Sequence, residues 1–314
     1  MIIELFLLLI SLAIVAVVSD KVIVYVSKLA FYFRISEMSA GFILLSVSTS
    51  LPELFIALIS SLTTKNGISL GNVLGANIAN LTIVMSFSIL LSKVKLYIKT
   101  FQKELSSFLF LTSLIPIFLL QKGVIEPIFG AVLLIFFIYF GVNLSKKTEK
   151  IKPLGYVRSS EIKLTSIKFL VSIAILLIFS KIIVDNGVNI AKSLSLPASV
   201  IGATIISIGT TLPELITSVQ ALRKHLYGMV LGNILGSCIT NLTLILGLNA
   251  LLSTTQINIT AISGMIFFML FSTLIVWHLI NTKEYFGKKT AILLILIYIA
   301  FILQQVGFSI FNLF

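Results

Sequence analysis

Two glutamates stand where glutamates are costly. Glu53 and Glu214 each fall well inside a run of apolar residues. An acidic group at the centre of a membrane helix costs about 2.5–3.5 kcal/mol on insertion scales, and such groups mark ion or proton pathways. Packing alone does not require the same costly residue twice in matched surroundings. Pro52 and Pro213 each precede the glutamate. A proline inside a helix cannot donate to the carbonyl four residues back and pushes it aside, which frees the carbonyls of Ser48 and Gly209. Broken helices at membrane depth survive only where they are buried in protein or line a cavity. Thr49 and Ser50 lie one helical turn before Glu53, so continuous helical geometry sets them beside its carboxylate, with Ser46 one turn farther. Thr210, Thr211 and Ser207 repeat the pattern around Glu214. In the following apolar runs Asn72, Ala76 and Asn80 share one helical face, and so do Asn233, Ser237 and Asn241.

Carboxylates, hydroxyls, amide carbonyls and freed backbone carbonyls are all hard oxygen ligands. Calcium takes 6–8 such oxygens in flexible geometry, whereas soft metals want sulfur or imidazole. Two carboxylates neutralise one divalent ion, and sodium ions can compete for the same charge and oxygens.

The elements that position these groups are membrane helices. The 314-residue chain is 58% hydrophobic and 11% charged, with mean hydropathy +1.14, against about 25% charged residues in soluble domains. Apolar runs long enough to cross a bilayer recur near 2–30, 38–62, 68–92, 104–121, 124–144, 167–193, 198–222, 228–252, 258–280 and 290–311. The sequence Ser46-Val47-Ser48-Thr49-Ser50-Leu51-Pro52-Glu53 returns as Ser207-Ile208-Gly209-Thr210-Thr211-Leu212-Pro213-Glu214. The stretch from Leu70 to Thr82 returns, at the same offset and without a gap, as Leu231 to Thr243. Each copy has five spans, an odd number, so the second enters from the opposite side, and such inverted repeats hold their substrate at the interface near the midplane. The expected fold is an all-α membrane protein of ten transmembrane helices, built as two inverted five-helix repeats. Residues 1–144 form the first repeat, 145–166 a hinge loop and 167–314 the second repeat. Gly71 and Gly75, like Gly232 and Gly236, have small-xxx-small spacing that lets helices approach closely.

Lys and Arg crowd one alternating set of loops, and the other set holds only Lys65, Lys122 and Lys192. The positive-inside rule puts the rich side, hinge included, in the cytoplasm and both termini outside. That topology accounts for the net charge of +12 without nucleic acid. The hinge is too short to fold as a regulatory domain. The N-terminus has no basic n-region and reads as a retained first helix. A single cysteine, Cys238, excludes an intramolecular disulfide and a multi-cysteine metal site, and His225 and His278 share no motif. No H-E-x-x-H, G-x-S-x-G or P-loop pattern points to an enzyme.

The paired motifs resemble the two alpha-repeats of sodium/calcium exchangers, in the cation/calcium antiporter superfamily. They read S-T-S-L-P-E and G-T-T-L-P-E, each followed by G-N-x-L-G-x-x-I-x-N, and the likeness covers both halves. It implies a plasma-membrane antiporter exchanging calcium for sodium by alternating access, with Ca2+ and Na+ as transported ions and no resident cofactor. Glu53 and Glu214 would be the central calcium ligands, assisted by backbone oxygens of Thr49 and Thr210. Side chains of Thr49, Ser50, Thr210, Thr211 and Ser237, with carbonyls of Ser46 and Ser207, would help bind sodium, and Asn80 and Asn241 would complete the centre. The first and sixth spans would slide across the rest. Three departures stand out. Ala76 occupies the place matching Ser237, which bears on sodium stoichiometry. Ser48 replaces the motif glycine matched by Gly209. Asn241 stands where some relatives have aspartate, which weakens the case for potassium dependence. The short hinge, without regulatory calcium-binding domains, is similar to the prokaryotic type. The alternatives are a proton/calcium exchanger, whose G-N-x-x-E form is absent here, and a passive cation channel. The bilayer and inorganic cations are the expected partners, with no nucleic acid and no protein partner.

Overall fold

The computed structural model describes residues 2–62, 66–98, 100–117, 124–125, 127–145, 161–193, 207–252, 255–256 and 259–305. Helices dominate. In the first half they are α1 (Ile2–Phe33), α2 (Glu37–Thr49), α3 (Leu51–Leu62), α4 (Leu70–Ser92), α5 (Thr100–Ser113) and α6 (Pro127–Ser145). In the second they are α7 (Ile162–Ser193), α8 (Ser207–Thr210), α9 (Leu212–Arg223), α10 (Tyr227–Leu252), α11 (Ile259–Thr282) and α12 (Lys288–Gln305). Among the described residues seven helices are long and apolar enough to cross a membrane, and eight when the bent pair α2 and α3 counts as one span. Helical segments lie in all ten expected spans. The expected spans 104–121, 198–222 and 290–311 run partly outside the described residues, as do most of the hinge and the loops with Lys65 and Lys122.

Two very short strand pairs brace the bundle. β1 (Leu96–Tyr97) pairs antiparallel with β4 (Tyr285–Phe286), and β2 (Val124–Ile125) with β3 (Thr255–Gln256). Each pairing joins loops separated by an even number of spans, so both partners lie on one face. The repeat operation exchanges the two pairs, as opposed orientation of the halves requires. The chain is an all-α membrane protein, and among the described residues these four two-residue strands are its extended exceptions.

The layering follows from sequence. Helix α10 is 94% buried over its span and α4 is 83% buried, whereas α6 and α7 are 17% and 22% buried. The inner pair carries the Gly, Asn and Ser motifs. The outer helices present Ile135 and Tyr139 (α6) and Leu170 and Ile178 (α7) to the surroundings, as lipid-facing helices do. Close approach at the centre needs residues without side chains. A Cβ on Gly232 would fall 2.4 Å from the Met38 carbonyl oxygen and 3.1 Å from the Gly41 Cα, so α2 and α10 touch backbone to backbone. Gly236 meets Phe42 and Ser46 in the same groove. The segment that the repeat sets against Gly71, around Ser199 and Gly202, lies outside the described residues.

The halves are related, but their packing is unequal. Helix α1 lies extensively along α7 and α9. Asp20 of α1 accepts an ion pair from Lys224, just past the end of α9, at 2.5 Å. Contacts between α7 and α3, the counterpart pair, are sparse. A cavity of about 470 Å³ opens there, lined by Pro52, Phe55, Lys181, Asp185 and Thr210 among others.

The glycine contact yields a stability prediction. Gly232→Ala lowers the thermal unfolding midpoint in detergent, reflecting about 1–3 kcal/mol of overpacking. Gly141→Ala, where a Cβ would meet only the Phe42 ring at 3.9 Å, leaves the midpoint unchanged or slightly raised. Equal shifts would contradict the backbone contact between α2 and α10.

Candidate cation site

Both glutamates sit at the start of a half-helix. The break in the second span falls at Ser50 (φ −81°, ψ 8°), and in the seventh at Thr211 (φ −88°, ψ 3°). Pro52 and Pro213 follow in the first turn of α3 and α9, where a missing N–H costs nothing, and Glu53 and Glu214 come next. The bend between α2 and α3 is 44°. Each carboxylate therefore lies at the positive end of a helix dipole, which offsets part of the cost of burying it. Both side chains are 0% exposed.

The break redirects the hydroxyls. Continuous helical geometry sets Thr49 and Ser50 beside Glu53, and the structure corrects this. Ser50 Oγ donates to Glu214 Oε1 at 3.3 Å, and Thr49 also lies beside Glu214, while its hydroxyl donates to the Leu45 carbonyl at 3.0 Å. Thr210 in turn lies beside Glu53 and donates to the Ser207 carbonyl at 3.2 Å. The bend after Thr49 and Thr210 turns those residues across the interface: the first half gives the Ser50 hydroxyl to Glu214, and the second sets Thr210 beside Glu53 with its hydroxyl committed to the Ser207 carbonyl. Ser237 Oγ adds a second donor to Glu214 Oε1 at 3.2 Å.

The remaining residues are also buried but differently engaged. Thr211 Oγ1 donates to the Ile208 carbonyl at 3.1 Å, and Ser46 Oγ donates to the Phe42 carbonyl. The carbonyls of Ser46 and Ser207 accept the backbone N–H of Ser50 and Thr211 at 2.9 and 3.2 Å, and also the hydroxyls of Thr49 and Thr210 at 3.4 and 3.2 Å. Asn241 Nδ2 donates to Asn77 Oδ1 at 2.9 Å. The structure gives Asn80 no hydrogen bond to any other site residue.

Buried oxygens without a partner remain. Among the described residues both oxygens of Glu53, Oε2 of Glu214, Oδ1 of Asn80, Oδ1 of Asn241 and the Ser207 hydroxyl have none, and neither has the amide of Asn72. Buried polar groups are ordinarily satisfied, and an unpaired buried charge is expensive. Among the described residues no three His, Cys, Asp or Glu side chains cluster, so a cation here meets two carboxylates and neutral oxygens. That donor set fits a hard ion.

Two features escaped the motif reading. π-helical segments begin at Asn80 and at Asn241, over Asn80–Val84 and Asn241–Ile245, and such bulges recur at functional sites. Asn233 is a hub: its Nδ2 lies 3.2 Å from the Glu214 carbonyl, 3.1 Å from Thr217 Oγ1 and 3.0 Å from Ser218 Oγ. The equivalents of Thr217 and Ser218 are Ile56 and Ala57, which explains why Asn72 lacks those partners.

Comparison with known proteins places these features in a family. The family described as "Sodium/calcium exchanger protein" matches residues 3–145 and 165–307, one copy in each half. The sodium/calcium exchanger MaX1 of Methanosarcina acetivorans is 27% identical over 329 aligned positions, covering 90% of this chain and 93% of that protein. The uncharacterized membrane protein MJ0091 of Methanocaldococcus jannaschii is 30% identical over 227 positions, covering 71% and 74%. The solved structure of the sodium-calcium exchanger NCX_Mj, soaked with 10 mM Na+ and no Ca2+, superposes with a TM-score of 0.80 at 25% identity, covering 95% of this chain and 97% of that one.

The contrast between the two asparagines is testable in ion-free detergent. Asn233→Leu removes a bridge to three groups and destabilises the protein by about 2–3 kcal/mol. Asn72→Leu removes an amide that has no partner and is neutral or mildly stabilising. Equal losses in thermal stability would contradict the asymmetry.

Proposed function

Since the chain belongs to the sodium/calcium exchanger family, we propose that it is a secondary active antiporter, exchanging calcium for sodium across the cell membrane by alternating access. The observation that carries the reading is the pair of fully buried carboxylates, Glu53 and Glu214, set by oppositely oriented copies of one motif among oxygens that lack protein donors. One calcium ion neutralises both carboxylates. Sodium ions neutralise them equally well, so occupancy by one ion type displaces the other, and the exchange is coupled through charge balance.

Each residue has a role in this reading. Glu53 and Glu214 hold calcium, with backbone oxygens of Thr49 and Thr210. Ser50, Thr211 and Ser237 supply hydroxyl oxygens to sodium, with the hydroxyls of Thr49 and Thr210 and the carbonyls of Ser46 and Ser207. Asn80 and Asn241 close the centre with amide oxygens. Ala76 offers no hydroxyl where Ser237 has one, so the two sodium positions are unequal. The loops rich in Lys and Arg face the cytoplasm, which sets both termini outside and the loop at 145–166 inside. In that orientation the cavity between α7 and α3 faces outward, and the packing of α1 on α9, with Asp20 and Lys224 paired, closes the cytoplasmic side. The opposite state follows when α1 and α7 slide together and exchange those relations.

Radiocalcium flux into proteoliposomes tests this. Wild-type protein takes up calcium when the lumen is loaded with sodium. Glu53→Gln and Glu214→Gln each cut that uptake about a hundredfold, the scale of losing one member of a buried charge constellation. Uptake driven by a proton gradient and indifferent to sodium would favour proton/calcium exchange instead, and retained exchange in both variants would remove the assignment of the glutamates.

A further inference from the structure

The pseudo-symmetry axis passes between two residues that are not symmetric in chemistry. Asn77 and Cys238 are repeat equivalents, 161 positions apart, and they meet face to face. Asn77 Nδ2 donates to the Cys238 carbonyl at 3.2 Å, and Cys238 Sγ donates back to the Asn77 carbonyl at 3.8 Å. Both side chains are buried.

This contact fixes the orientation of a whole chain of amides. A backbone carbonyl only accepts, so the end of Asn77 that faces Cys238 is the NH2. Its Oδ1 consequently faces the other way, and there it accepts from Asn241 Nδ2 at 2.9 Å. Asn241 must therefore turn its nitrogen to Asn77, which directs its Oδ1 away from that contact. That oxygen is buried and has no partner among the described residues. It stands one helical turn beyond Ser237, whose hydroxyl holds Glu214. The second half lacks a reciprocal lock for Asn80. The residue in the place of Asn77 is Cys238, whose thiol is a weak acceptor, and both polar atoms of the Asn80 amide are without partners.

We propose that Asn77, which the motif reading assigned no part, is a positioning residue: it locks the Asn241 amide with its carbonyl oxygen presented to the cation, so that one of the two central amides is a fixed ligand and the other, Asn80, is not. An asparagine at 241 then does part of the work of an aspartate, because its wrong rotamer, with the NH2 toward the ion, is excluded. This assignment rests on the calcium reading of the centre.

The test is a double-mutant cycle on the full chain in proteoliposomes, reading the half-saturating calcium concentration and the maximal rate of sodium-driven radiocalcium uptake. Leucine copies the shape of asparagine without its hydrogen bonds. Asn77→Leu raises the half-saturating concentration about tenfold, the worth of about one hydrogen bond. In an Asn241→Asp background either carboxylate oxygen can face the ion, and the same change shifts the value by less than about twofold, the usual limit of additivity. An equal rise in both backgrounds would make Asn77 merely structural and overturn the proposal, and so would no rise in either. If Asn77→Leu does not yield folded protein, Asn77→Ala is read in the same cycle against the same outcomes. Wild-type protein that takes up no calcium would instead sink the exchange reading itself, which keeps the two failures distinct.

Discussion

Two negative charges share the interior of a membrane protein, and each is more than the surroundings can hold unaided. Glu53 and Glu214 are wholly buried, and two ionised carboxylates so enclosed repel one another. Taking a carboxylate out of water costs several kcal/mol even after relaxation, and only good geometry and full hydrogen bonding recover it. Much of the architecture answers that demand. The chain breaks two spans so that helix N-termini underlie the carboxylates. The two most buried helices, α4 and α10, bring asparagine and serine to the same place. Glycines at 41 and 232 let backbones touch, which draws the motif segments of opposite halves within reach of each other's glutamates. What protein donors leave unsatisfied is a set of oxygens suited to a hard cation.

Near-symmetry of backbone is combined with asymmetry of side chains. Glu214 is held by Ser50 and Ser237, while both oxygens of Glu53 lack a donor among the described residues: the repeat equivalents are Ala76, which has no hydroxyl, and Thr211, whose hydroxyl is committed to the Ile208 carbonyl. Asn233 is triply bonded, and Asn72 is not bonded at all. At these positions the second half is the better hydrogen-bonded and the first the less satisfied. The packing of α1 on α9 and the cavity beside α7 carry the same inequality to the scale of the bundle.

How much of this was legible beforehand depended on the kind of signal. Membrane spans and the repeat were readable because hydropathy and a gapless match of rare residues, Pro-Glu and Asn, survive any rearrangement of neighbours. The half-helix starts at Pro52 and Pro213 were readable from proline chemistry. The exchange of hydroxyls across the interface was not. A spacing of three or four residues implies a shared face only in an unbroken helix, and the bend at Ser50 cancels that inference for Thr49. The π-helical turns at Asn80 and Asn241 leave no mark in residue periodicity over so few positions. Asn77 looked like one more polar residue beside a motif, since its role appears only when Cys238 and Asn241 arrive from the other half. The two-residue strands have no pattern to read.

The central claim is that both carboxylates meet around one ion, and diffraction from crystals of the protein in calcium and in sodium measures it most directly. The account predicts a single divalent peak in calcium, with oxygens of both Glu53 and Glu214 at about 2.3–2.6 Å, lost when sodium replaces calcium. A calcium ion held by one glutamate alone, or both carboxyl groups hydrogen-bonded to protein donors with no divalent ion between them, would contradict it.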